Sequence, residues 1–254
     1  MKKIIPILLV FVANLTFAQK RCDSQFFGSI PRQTEVSQRI KELDLGQIIL
    51  IPVVVHVVYS SLDQNISDDQ IRSQIEVLNE DFRRTNSDAV NTIPVFEELA
   101  VDPRINFFLT KKDEFDLETS GISRTNTTHG PFSNDDMKFS DLGGVDAWNP
   151  EEFLNIWVCD LAEGVFGYGT PPGSEKALDG VVIDFEYFGT LGTVKAPFDY
   201  GRTATHEIGH YFGLNHLWGA TGGCSDDDGI EDTPLQAGPS SGCQLDKTSC
   251  GSLD

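Results

Sequence analysis

His206-Glu207-Ile208-Gly209-His210-Tyr211-Phe212-Gly213-Leu214-Asn215-His216 is the stretch on which the reading turns, and each fixed position in it has a chemical job. His206 and His210 are four residues apart, which on a helix places them on one face, about 6 Å apart along the axis. Two imidazoles so placed can ligate one tetrahedral Zn²⁺ at about 2.0–2.1 Å. Glu207 stands beside the metal and not on it, placed to take a proton from a metal-held water whose pKa falls to about 7. Gly213 lets the chain leave the helix through backbone angles that a residue with a Cβ resists. That turn brings His216 back as a third ligand. The pair of histidines with its glutamate is only moderately specific; the added glycine and third histidine make chance a poor account. Three of the five histidines fall inside this stretch; the others are His56 and His129.

Working outward, Gly201 to Phe212 reads as the helix that carries the motif. Before it, Val181-Val182-Ile183-Asp184-Phe185, Leu154 to Cys159, Ile105 to Leu109 and the β-branched run Ile51 to Tyr59 read as strands, the last buried on both faces. Ser67-Asp68-Asp69-Gln70 is a capping box that opens a helix with Ile71, Ile75, Leu78 and Phe82 on one face. Residues 111–150 and Gly164 to Gly180 read as loops. His56, Trp157 and Cys159 read as core residues, Cys159 as a small buried apolar side chain. Strand, helix, three strands and a metal-bearing helix describe an α+β domain with a mixed sheet.

The chain has 254 residues and a formal net charge of −20, with a sequence pI near 4.4. That balance argues against nucleic-acid binding, which needs basic surface. Lys2 and Lys3, the apolar run Ile4 to Val12 and the small residues around Thr16-Phe17-Ala18 read as a signal peptide over residues 1–18, cleaved after Ala18. The run is too short to span a membrane, so the expectation is a secreted, extracellular protein with no membrane span. Residues 19–48 read as a pro-segment or N-terminal extension, and 49–254 as the main domain.

The extended histidine motif resembles that of the metzincin metallopeptidases. The flanks Gly201-Arg202-Thr203-Ala204-Thr205 and Asp228-Gly229-Ile230-Glu231-Asp232-Thr233-Pro234 sharpen this. Together with Ile51–Tyr59, Leu78-Asn79-Glu80-Asp81-Phe82, Leu154–Cys159 and Asp179–Phe188, they are similar to the pappalysin branch over roughly residues 50 to 250. The resemblance implies a twisted, mixed five-stranded sheet backed by helices, above a cleft with zinc on its floor. It implies a zinc endopeptidase acting on protein or peptide substrates, with His206, His210 and His216 as ligands and Glu207 as general base. An edge strand matching Val181, Val182 and Ile183 would pair with extended substrate. The loop after His216 resembles the family's calcium- and disulfide-bearing loop: Asp228, Asp232 and Thr233 are candidate Ca²⁺ contacts, with the Ile230 carbonyl beside them, and the family's connectivity pairs Cys224 with Cys250. Arg21-Cys22 resembles the cysteine with which some metzincin pro-segments enforce latency, although Asp23 follows where the familiar motif has glycine.

Two departures stand out. The family's Met-turn lies downstream of the third histidine, whereas Met1 and Met137 are the only methionines here, and Cys243 is left without a partner. A chain truncated at its C-terminus, lacking the Met-turn and the C-terminal subdomain, is the expectation. The function of a different class that competes is a non-catalytic, zinc-stabilised binding or adhesion module on a protease scaffold; Glu207 argues against it.

Overall fold

The computed structural model describes residues 46–162, 164–240 and 247–253. The signal-peptide reading, the latency cysteine Cys22 and the unpartnered Cys243 lie outside the described residues. The sheet is built on β1 (Ile49–Tyr59), with β2 (Ile105–Leu109), β3 (Ile122–Asn126), β4 (Leu154–Cys159), β5 (Gly167–Gly169) and β6 (Val181–Asp184). β1 runs parallel to β2, β3 and β4, β4 runs parallel to β6, and β5 is antiparallel to β6. Residues 53–57 of β1 pair with β4. Its residues 49–53 pair with β2 and 55–59 with β3, so these two lie end to end along the opposite side of β1. The sheet therefore holds six strands in five positions, ordered β2/β3–β1–β4–β6–β5.

This order corrects the expected substrate-edge strand. Val181, Val182 and Ile183 lie inside the sheet, between β4 and β5, and are fully buried. An unbroken apolar run marks a strand covered on both faces and flanked on both sides, which is where β6 sits. Among the described residues the free edge is Gly167-Tyr168-Gly169, inside a segment whose glycine content reads as loop. β3 was likewise hidden in the loop-like 111–150 stretch, because Ile-Ser-Arg-Thr-Asn carries little apolar signal.

Side chains alternate between the two faces. On one face Val53, Val55, Val57, Ile156, Val158, Val181 and Ile183 pack against Ile71, Ile75 and Leu78 of α1 (Asp68–Asp81) and Ala204 and Ile208 of α2 (Arg202–Tyr211). On the other, Val58, Trp157, Cys159, Tyr168 and Val182 meet Phe132, Met137 and Leu161 from the loops. Each such burial stabilises by about 1.5–3 kcal/mol for a large side chain. His56 sits on this second face, fully buried. Asn155 donates through Nδ2 to Trp148 O, so its Oδ1 faces His56 Nε2 at 3.0 Å and accepts from it. His56 Nδ1 then accepts from Ser123 Oγ at 2.7 Å. The ring is neutral, and burial pulls its pKa down to about 4.

α1 opens where the capping box places it, with Ser67 Oγ accepting from Gln70 N at 3.1 Å. A second stripe of α1 is polar yet buried, and it fastens the segment that joins β6 to α2. Gln70 Nε2 donates to Phe185 O and Phe188 O. Gln74 Nε2 donates to Gly201 O at 2.9 Å, while its Oε1 accepts from Gly189 N at 2.7 Å. At the end of α1, Asp81 Oδ2 accepts from Thr205 Oγ1 at 2.7 Å and pairs with Arg202 Nε at 3.2 Å. The helix that carries the histidines is thus held at its entry by side chains of α1. Lys138 is 1 % exposed: its ammonium pairs with Asp135, donates to Leu178 O and lies over the Trp157 and Tyr168 rings. Burial lowers its pKa. No helix among the described residues is long and apolar enough to cross a membrane.

Candidate active site

α2 projects His206 and His210 from one face, and the chain leaves it at Gly213, whose φ of +90° is the left-handed turn that a Cβ disfavours. Gly213 N donates to His210 O at 2.8 Å and Leu214 N to Gly209 O at 3.0 Å, closing the helix end. His216 then returns to the helix. The three Nε2 atoms stand 3.0 Å (His206–His210), 3.1 Å (His210–His216) and 3.3 Å (His206–His216) apart. A tetrahedral ion with bonds of about 2.0–2.1 Å has ligand–ligand edges of about 3.3–3.4 Å, so the triangle has the size one zinc requires. This is the one group of three or more metal-capable His, Cys, Asp or Glu residues among the described residues.

The protonation of the cluster fits the same ion. His210 Nδ1 donates to Leu214 O at 2.7 Å, which fixes the tautomer and leaves Nε2 as a bare lone pair facing the other rings. Burial lowers the pKa of His210. Burial also pulls His216 to about 4, with His210 adding to it. His206 is the most exposed of the three. Desolvation, with His210 and His216 beside it, brings its pKa to about 4. Neutral imidazoles converging at 3 Å suit a cation between them and reject protons.

Glu207 is 1 % exposed and packs under the sheet edge. A Cβ added to Gly167 would lie 3.1 Å from Glu207 Cγ and 2.8 Å from Val182 O, and one added to Gly169 would overlap Glu207 O. The two glycines are what allow α2 to lie directly against β5. Phe166 O accepts from Asp184 N, and Thr170 N donates to Gly180 O. By the alternation of an antiparallel ladder, the amides and carbonyls of Gly167 and Gly169 point away from β6, toward the free edge. Tyr211, the last residue of α2, is hydrogen-bonded through its hydroxyl to Asp179, and burial raises its pKa.

The loop beyond His216 is closed by Cys224–Cys250 and by the small hairpin of β7 (Thr248–Ser249) and β8 (Ser252–Leu253). Asp226 Oδ2 accepts from Ala220 N, Thr221 N and Thr221 Oγ1, each at 2.9 Å. Asp228 Oδ1 accepts from Ile230 N, and its carbonyl accepts from Asn215 Nδ2. Among the described residues, Asp228 and Asp232 belong to no group of three or more His, Cys, Asp or Glu ligands, and the Asp228 carboxylate accepts from Ile230 N within its own turn.

A profile of the peptidase family described as pregnancy-associated plasma protein-A matches residues 139–252. An extracellular metalloprotease 1 of Coccidioides posadasii is 30% identical over 271 residues, covering 98% of this chain and 85% of that protein. The chain belongs to the pappalysin family of metallopeptidases. As a pappalysin it is a metalloendopeptidase with the α+β, metzincin-like catalytic fold. Mature mirolysin of Tannerella forsythia, solved with a cleaved peptide, superposes with a TM-score of 0.79 at 49% identity, covering 82% of this chain and 80% of that one. A promirolysin mutant of the same organism gives 0.81 at 46% identity, covering 87% and 74%.

Residues that sequence reading passed over include Gly167 and Gly169, Gln70 and Gln74, Asp226 and Trp218. The repeated glycine around one tyrosine was a signal of close backbone approach. The glutamines gave none, since buried and exposed amides look alike in a sequence.

Proposed function

We propose that this pappalysin is a secreted zinc endopeptidase in which His206, His210 and His216 hold the ion and Glu207 is the general base. The convergence of three Nε2 atoms within 3.0–3.3 Å of one another carries the reading. Bound zinc would act as a Lewis acid on the scissile carbonyl and on water. Glu207, next to the first ligand in sequence, takes the proton of the attacking water on its carboxylate and delivers it to the leaving amine. β5 supplies the template: Gly167 and Gly169 turn their backbone groups to the open edge, where an extended peptide can add as a further strand.

Residues 1–18 act as the export signal and 19–48 as a pro-segment in this reading. The naming of the Coccidioides relative as extracellular supports export, and the existence of a promirolysin supports a proform. Latency through Cys22 predicts faster self-activation in Cys22→Ala. Calcium at Asp228, Asp232 and Thr233 rests on the family resemblance, and predicts that added Ca²⁺ protects the loop from proteolysis.

The deciding experiment is Glu207→Gln in the full chain, with zinc content and cleavage of an unfolded protein measured together. Retained zinc with cleavage abolished supports the assignment. Cleavage at the normal rate overturns it.

A further inference from the structure

Two of the three histidines are positioned by α2 itself. His216 lies in a turn, where a side chain has rotameric freedom that metal binding would have to remove. Trp218 supplies the restraint. Its ring stacks on His216 with centroids 4.5 Å apart and planes 10° from parallel. The turn that sets this contact is closed by Gly219 N donating to His216 O at 2.8 Å. The next residues, Ala220 and Thr221, are gripped by the Asp226 carboxylate. His216 meets His210 edge-on, at 4.6 Å and 90°, so the plane that Trp218 imposes aims Nε2 at the other two nitrogens.

We propose that Trp218 is a positioning residue for the metal centre: its indole, stacked on His216, fixes the plane of the third ligand before the ion arrives. The proposal rests on the reading of His206, His210 and His216 as ligands. Preorganisation of this kind reduces the ordering that binding must impose, and partners that orient a ligand typically change metal affinity by about 10–100-fold.

The test uses the full chain, stripped of metal and titrated with Co²⁺ against a chromophoric chelator. Trp218→Leu keeps apolar bulk without a ring plane and should weaken Co²⁺ binding by about tenfold or more. Trp218→Phe keeps a plane and should restore most of it, which also answers the case in which the leucine variant folds poorly. The same change in a His216→Ala background should cost nothing further, since Trp218 acts through His216. An equal loss in both backgrounds would reveal a general structural role and overturn the proposal, as would wild-type affinity in Trp218→Leu. A wild-type chain that binds no Co²⁺ would overturn the ligand assignment and this inference together.

Discussion

Gly169 and Glu207 are in direct backbone contact: the space a side chain would take on Gly169 is filled by the main-chain oxygen of Glu207. The sheet edge and the helix that bears Glu207 therefore touch without an intervening side chain. Gly169→Ala must push α2 away or twist β5. Such overpacking costs about 1–3 kcal/mol, and a displacement near 1 Å at Glu207, the proposed base, can cost about a hundredfold in rate. Denaturant unfolding and peptide cleavage measure the two effects. Gly238→Ala, at a position with no neighbour within 4 Å of an added Cβ, should change neither.

Gln74→Leu should destabilise the domain by about 3 kcal/mol, because it strands the buried Gly189 N–H and Gly201 carbonyl that the amide now satisfies. Chemical denaturation gives the number. An unchanged midpoint would mean that the segment finds other partners and that the clamp is dispensable.

Two buried groups set opposing pH dependences. His56 falls from 6.5 to about 4 on folding. It contributes stability above pH 6.5 that is lost as pH drops toward 4, about 3 kcal/mol in all. Asp184 rises from 3.8 to about 7, driven by burial and offset in part by the amides of Leu161 and Glu186. It contributes stability below pH 3.8 that is lost as pH rises through 7, about 4 kcal/mol. Between pH 4 and 6.5 the slopes cancel in large part. Relative to wild type, stability should fall with rising pH in His56→Gln and rise with pH in Asp184→Asn. Urea midpoints across this window, in metal-free protein, test both signs.

The Cys224–Cys250 bridge spans 26 residues, and loop-closure entropy of that length amounts to about 3–4 kcal/mol. Replacing both cysteines by serine in the Glu207→Gln background should open residues 221–240 to an added protease while the sheet stays resistant. Mass spectrometry of the first cuts locates the effect; first cuts inside β1 or β4 would contradict it.

The histidine cluster was legible because helical periodicity converts sequence spacing into distance, and the glycine that ends the helix is itself in the code. His56, Trp157 and Cys159 were legible as core from the apolar runs around them. Strand order was not: the apolar run Val181–Ile183 marks a buried strand without saying which neighbours it has, and the true edge is three residues, two of them glycine. Lys138 illustrates a different limit. Asp135 is a local i,i+3 partner, but the burial of Lys138 also depends on Leu178, Trp157 and Tyr168 arriving from three other segments, which no local pattern encodes.

The grip of α1 on the far end of the domain has a consequence for biogenesis. Gln70, Gln74 and the Asp81–Thr205 bond connect residues 115 to 127 positions apart, and contacts of such separation close late, after most of the chain is available. The strand and helix made first must wait for the segment that bears the histidines. A nascent chain therefore has no assembled histidine cluster while it is being made, and its peptide-cutting chemistry arrives only when the fold itself is finished.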